Sequence, residues 1–162
     1  MVHTVLMSKE KAQVNSGKSP HRILVIEDNP ADTALLRHAL AEQAEPYHLE
    51  VLTDGEAALN FVRAQCGGAC LPEPCLIVLD LHLPRYDGAI VLRAIRSEPE
   101  LAQVRVAILT TADSPAEKAE VLALGVQAYR RKPMNWDEMV DLACELIAIC
   151  NQPLEKCEAQ KA

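Results

Sequence analysis

The chain lacks any apolar run near the roughly 18 residues that a membrane-crossing helix needs, so no membrane partner is expected. It also lacks a basic excess: 16 Lys and Arg stand against 23 Asp and Glu, a formal charge of −7. Such a balance disfavours nucleic acid, a polyanion, as a partner. The N-terminus lacks a secretory apolar core. Met1 to His21 hold one short apolar patch, Val5-Leu6-Met7, and then Ser, Lys, Glu, Gln, Asn and Gly, which reads as a disordered leader on a cytoplasmic protein. The six cysteines, Cys66, Cys70, Cys75, Cys144, Cys150 and Cys157, contain no C-x-x-C pair. No nearby His completes a zinc set around Cys66, Cys70 and Cys75, where four ligands at tight paired spacings would be wanted. The thiols are expected reduced, with Cys144 and Cys150 as small core or interface residues of an apolar helix.

What is present is ordinary for a globular domain: 162 residues, 49% hydrophobic and 24% charged, enough for one sizeable core. The organising stretch is Leu76-Ile77-Val78-Leu79-Asp80-Leu81-His82-Leu83-Pro84. An uninterrupted apolar run marks a strand buried on both faces, as in a parallel sheet covered by helices. Ile23–Ile26 is a similar short run, and further strands are expected at His48–Leu52, Val104–Leu109 and Ala128–Arg131. Helical spacing appears between them at about Pro30–Gln43, Glu56–Gln65, Ala89–Ser97, Pro115–Leu124 and Trp136–Cys150. Asn29, Ser114 and Asn135 suit helix N-caps, Pro30 a first helical position and Gly125 a helix stop. Ala57, Ala58, Phe61 and Val62 are expected on the inner side of the second helix, and Ile90, Val91, Ala94 and Ile95 on that of the third. Five strands alternating with five helices predict an α/β doubly wound parallel sheet of order 2-1-3-4-5, flavodoxin-like, with helices on both faces.

In such sheets ligands bind at the carboxyl ends of the strands. Glu27, Asp28, Asp80, Thr110 and Lys132 all occupy strand ends. Three carboxylates in one crevice repel by roughly 4 kcal/mol per pair at 4 Å and an effective dielectric near 20. Such a cluster calls for a cation, and hard oxygen donors suit Mg2+, which would bridge an incoming phosphoryl group. Asp80 could then act as a nucleophile, with Lys132 and Thr110 steadying the phosphoryl oxygens. Taken singly, Asp80 could be a turn residue, Thr110 a plain strand end, Lys132 a solvated side chain and Tyr129 a static core aromatic.

Glu27-Asp28, Asp80 with Pro84 and Asp87-Gly88, Leu109-Thr110 and Lys132-Pro133, with Gly125 and Tyr129 between the last two, resemble the response-regulator receiver domain of two-component signalling over Arg22 to about Cys150. The resemblance implies a receiver domain at 22–150 and leaves a polar tail at 151–162. It implies that Asp80 is the phosphoacceptor, served by a sensor histidine kinase. Mg2+ would be held by Glu27, Asp28, Asp80 and the backbone carbonyl of His82. Lys132 would pair with the acceptor, Thr110 would move onto the phosphoryl group and Tyr129 would rotate inward, with a cis Lys132–Pro133 peptide. Ala112, at a family-variable position, offers no group to orient an attacking water, which implies a long-lived phosphoryl group. Glu27-Asp28-Asn29-Pro30-Ala31-Asp32 and the loop Cys66–Pro74 further resemble the stand-alone regulators paired with phytochrome-type kinases. The other readings are a pseudo-receiver that only binds partners, and a Mg2+-dependent phosphatase, disfavoured because His82 stands where a second acid is wanted. The last helix is apolar over more than the roughly 100° that one sheet face requires. Its surplus, Trp136, Val140 and Ile147, is expected to meet a second protomer or a kinase.

Overall fold

The computed structural model describes residues 19–65, 73–111 and 114–153. The leader up to residue 18, Cys66, Cys70, Ala112 and the tail from residue 154 lie outside the described residues. The strands are β1 (His21–Ile26), β2 (Tyr47–Leu52), β3 (Leu76–Asp80), β4 (Val106–Thr110) and β5 (Ala128–Arg131). Between and after them run α1 (Pro30–Ala41), α2 (Gly55–Gln65), α3 (Gly88–Ser97), α4 (Pro115–Ala123) and α5 (Trp136–Asn151). The sheet is parallel in the order β2-β1-β3-β4-β5, as expected.

The pleat of β1 divides the core. Ile23 and Val25 face the side covered by α1 and α5, with Leu36, Leu40, Leu142 and Leu146. Leu24 and Ile26 face Ala58, Val62, Val91, Ile95 and Val121 of α2, α3 and α4. β3 and β4 are buried at every position, the pattern of central strands covered on both faces. Asn29, Ser114 and Asn135 each accept a backbone N–H in the first turn of a helix, and Gly125 has φ of 74°, a left-handed stop that a Cβ would strain.

The differences are local. His21, expected in the leader, is the first residue of β1 because its N–H donates to Pro46 O (2.9 Å). α3 begins at Gly88, so its inner stripe is Gly88, Val91, Leu92 and Ile95, and Ile90 falls outside it at 44% exposure. On α2 the buried positions are Gly55, Ala58, Val62 and Gln65, with Ala57 and Phe61 only half-buried. The Lys132–Pro133 bond is trans, since the described residues contain no cis peptide; trans is the favoured isomer even before proline. Ile147 lies in the core beneath α5, 7% exposed. Of the expected surface surplus, Trp136 and Val140 therefore remain at least partly accessible. Trp136 also stacks on His38 of α1, with ring centroids 5.3 Å apart.

Candidate functional site

Three strand ends and one helix start build the site. β1 delivers Glu27 and Asp28 as the two residues after its last, β3 ends on Asp80, and β5 runs out into Lys132. Carboxylate oxygens of Glu27, Asp28 and Asp80 all lie within 4.8 Å of one another. Glu27 and Asp80 are buried, at 6% and 4% exposure, whereas Asp28 faces solvent. Lys132 Nζ reaches Glu27 Oε2 and Asp80 Oδ2, each at 2.7 Å, and Asp32 Oδ2 at 3.0 Å.

Asp32 is the member that sequence reasoning missed. The signal was present: Asn29 caps α1 and Pro30 opens it, so Asp32 falls in the first turn, beside the end of β1. Three carboxylates, from Glu27, Asp32 and Asp80, thus contact one ammonium, and Asp28 adds a fourth acid beside Glu27 and Asp80.

Backbone groups fix the acids. Asn29 N–H donates to Glu27 Oε1 and His82 N–H to Asp80 Oδ1, both at 3.0 Å. The His82 side chain is exposed. Gly88 lets α3 approach: its N–H donates to Leu81 O at 2.8 Å, and a Cβ there would stand 2.3 Å from Asp80 O. Thr110 is fully buried at the end of β4, and its carbonyl accepts the Lys132 N–H at 2.9 Å. Tyr129 is half-buried in β5, with Lys118 Nζ of α4 5.2 Å from its ring centre.

The electrostatics follow from burial and charge. Desolvation raises the Glu27 carboxyl above its usual range, only partly offset by the Lys132 and Asn29 hydrogen bonds. Burial alone would lower the Lys132 ammonium, but its bonds to Asp80, Glu27 and Asp32 outweigh that and hold it above the usual lysine range. One lysine does not neutralise this cluster. Hard oxygen donors in excess negative charge are the set that holds a divalent cation such as Mg2+ or Mn2+.

Residues 23–143 match the model of the response regulator receiver domain. The chain belongs to that family. It is 35% identical to the response regulator Rcp1 of Synechocystis sp. over 74% of this chain and 82% of Rcp1. Among solved structures it resembles the phosphorylated cyanobacterial phytochrome response regulator RcpA, with a TM-score of 0.75 and 30% identity over 85% of this chain and 100% of that one. It also resembles the Mn2+-bound form of Rcp1, with a TM-score of 0.73 and 32% identity over 85% and 100% of the respective chains. The expected family and fold are thus both found, and a metal-binding acidic cluster fits a receiver domain. No described helix is long and apolar enough to cross a membrane.

Proposed function

We propose that this receiver accepts a phosphoryl group on Asp80 from a sensor histidine kinase and signals through protein–protein contact. The observation that carries the reading is the buried Asp80 carboxylate, held by His82 N–H on one oxygen and by Lys132 on the other. In the reaction an Asp80 oxygen bonds to phosphorus as the bond from phosphorus to the kinase imidazole breaks, and the proton balance is completed on the leaving imidazole. Glu27, Asp28 and Asp80, with the His82 carbonyl, would hold Mg2+, which when bound neutralises charge on the phosphoryl oxygens. Lys132 keeps a positive charge at the acceptor because its pKa is held up. The Thr110 hydroxyl turns onto the phosphoryl group, and Tyr129 follows it inward.

The kinase class is proposed as phytochrome-type, supported by likeness to the phytochrome response regulator RcpA. The test is transfer from a purified phytochrome-type kinase bearing labelled phosphohistidine. The reading predicts loss of label from the kinase with matching gain on the chain, abolished in Asp80→Asn. Label that reaches Asp80→Asn equally overturns the acceptor assignment. Transfer from other sensor kinases but none from phytochrome-type ones overturns the pairing alone.

A further inference from the structure

A second cluster lies at the opposite edge of the sheet, where the strands begin. His21 opens β1, Cys75 immediately precedes β3, and Cys150 sits in the last turn of α5. The Cys75 N–H donates to Arg22 O at 2.8 Å, which docks it beside the start of β1. A His21 ring nitrogen and both Sγ atoms lie within 4.8 Å of one another, and the two sulfurs are 2.8 Å apart. At about 3.3 Å per residue along β3, this cluster stands roughly 16 Å from Asp80.

The histidine supplies an independent observation. Its side chain is only 10% exposed, and its Nε2 is shielded from solvent with no hydrogen-bond partner among the described residues. The nearby Glu45 Oε2 is 3.7 Å away, beyond hydrogen-bond range. A buried polar nitrogen left this way is costly and uncommon.

The sulfurs are electrostatically prepared. The hydrogen bond with Cys150 holds the Cys75 thiol below its usual range despite burial, and the Arg105 charge acts the same way. Cys150, bonded to Cys75 and buried, is pushed up. Arg105 is itself 7% exposed and donates to the Cys150 and Gln152 carbonyls, so its charge is fixed beside the pair. Two cysteine sulfurs that give up their protons when a metal binds, together with an imidazole nitrogen, form a soft donor set.

We propose that His21, Cys75 and Cys150 form a binding site for Zn2+, with the fourth tetrahedral position left to water. Three protein ligands and one open position are an established zinc arrangement. With bonds of about 2.3 Å to zinc the sulfurs would stand roughly 3.8 Å apart, an opening of about 1 Å. The ion would pin β1, β3 and α5 together. This set is soft, whereas the acidic cluster around Asp80 is hard, so the two sites select different metals.

The experiment titrates the full-length chain, reduced and stripped with chelator, with Co2+ as the spectroscopic substitute for Zn2+. Excess Mg2+ occupies the acidic cluster. The parent carries Cys66, Cys70, Cys144 and Cys157 replaced by Ser, so that Cys75 and Cys150 are the only thiols in the chain. The proposal predicts a thiolate-to-cobalt charge-transfer band that saturates at one equivalent and is abolished by Zn2+. Cys75→Ser and His21→Gln should each weaken binding roughly tenfold or more, with thermal melts confirming that both variants fold. Absence of the band in the parent overturns the site, as does equal binding by parent and both variants. A Cys75–Cys150 disulfide that forms under reducing conditions and excludes metal also overturns it.

Discussion

Replacing Asp80 by Asn should stabilise the metal-free chain, and the geometry sets the size of the effect. The change removes one attraction, Asp80 Oδ2 to Lys132 Nζ at 2.7 Å, about 6 kcal/mol at an effective dielectric near 20. It also removes two repulsions, from Glu27 and Asp28, at no more than 4.8 Å, together about 7 kcal/mol on the same scale. Asp28 is exposed, so its share is screened. The deciding contribution is desolvation: a carboxylate 4% exposed no longer has to be held charged out of water, which costs several kcal/mol. Lys132 keeps Glu27 and Asp32 as partners, and the Asn oxygen can still accept from His82 N–H. A net gain of about 1 kcal/mol corresponds to roughly 2–4 °C in a chain of this size. Saturating Mg2+ should reverse the order, because at 100 Kd the parent gains about 2.7 kcal/mol from binding and the variant less. Differential scanning fluorimetry with chelator and with Mg2+ reads both comparisons. A metal-free Asp80→Asn that melts below the parent would refute the electrostatic account.

Other outcomes test separate parts of the site. Gly88→Ala puts a Cβ 2.3 Å from the Asp80 carbonyl, so α3 must move off β3; urea unfolding should show a loss of about 1–3 kcal/mol, although Ala is ordinarily the better helix former. Lys132 is raised above its usual value, so its stabilisation is complete below the unfolded lysine pKa of about 10.4 and is lost as pH rises beyond it. The stability gap between the parent and Lys132→Met should therefore stay flat from neutral pH to about 10 and then close; a gap that closes by pH 8 contradicts this. Asp32→Asn, at a side chain 35% exposed, should change stability by less than about 1 kcal/mol yet slow phosphorylation, measured by intact mass against time. For the last helix, sedimentation should show a dimer on phosphorylation that Trp136→Ala weakens; a monomer in both states argues against that surface.

Fold and site were unequally legible. Apolar runs and caps sufficed for the strand order, because strands buried on both faces advertise themselves and the crossover rules leave few topologies. The Asp80 crevice was readable because its members end or follow β1, β3, β4 and β5, which are neighbours in the sheet, so their carboxyl ends converge. Asp32 was missed because a helix-start acid ordinarily serves the helix dipole, and only the fold shows that it also reaches Lys132. Ile147 was misjudged because a stripe read along α5 does not reveal how deep the groove between α1 and the sheet is. The His21–Cys75–Cys150 cluster was invisible for the opposite reason: its members are 54 and 75 residues apart, so no local spacing could announce a site that only sheet register and the end of α5 bring together.

The central claim, that Asp80 is a metal-dependent phosphoacceptor, is tested most directly by weighing the intact chain after incubation with a small acyl phosphate. The account predicts one added phosphoryl group when Mg2+ is present, none with chelator, and none in Asp80→Asn. A parent that gains no mass with Mg2+, or an Asp80→Asn chain that gains as much as the parent, would contradict it.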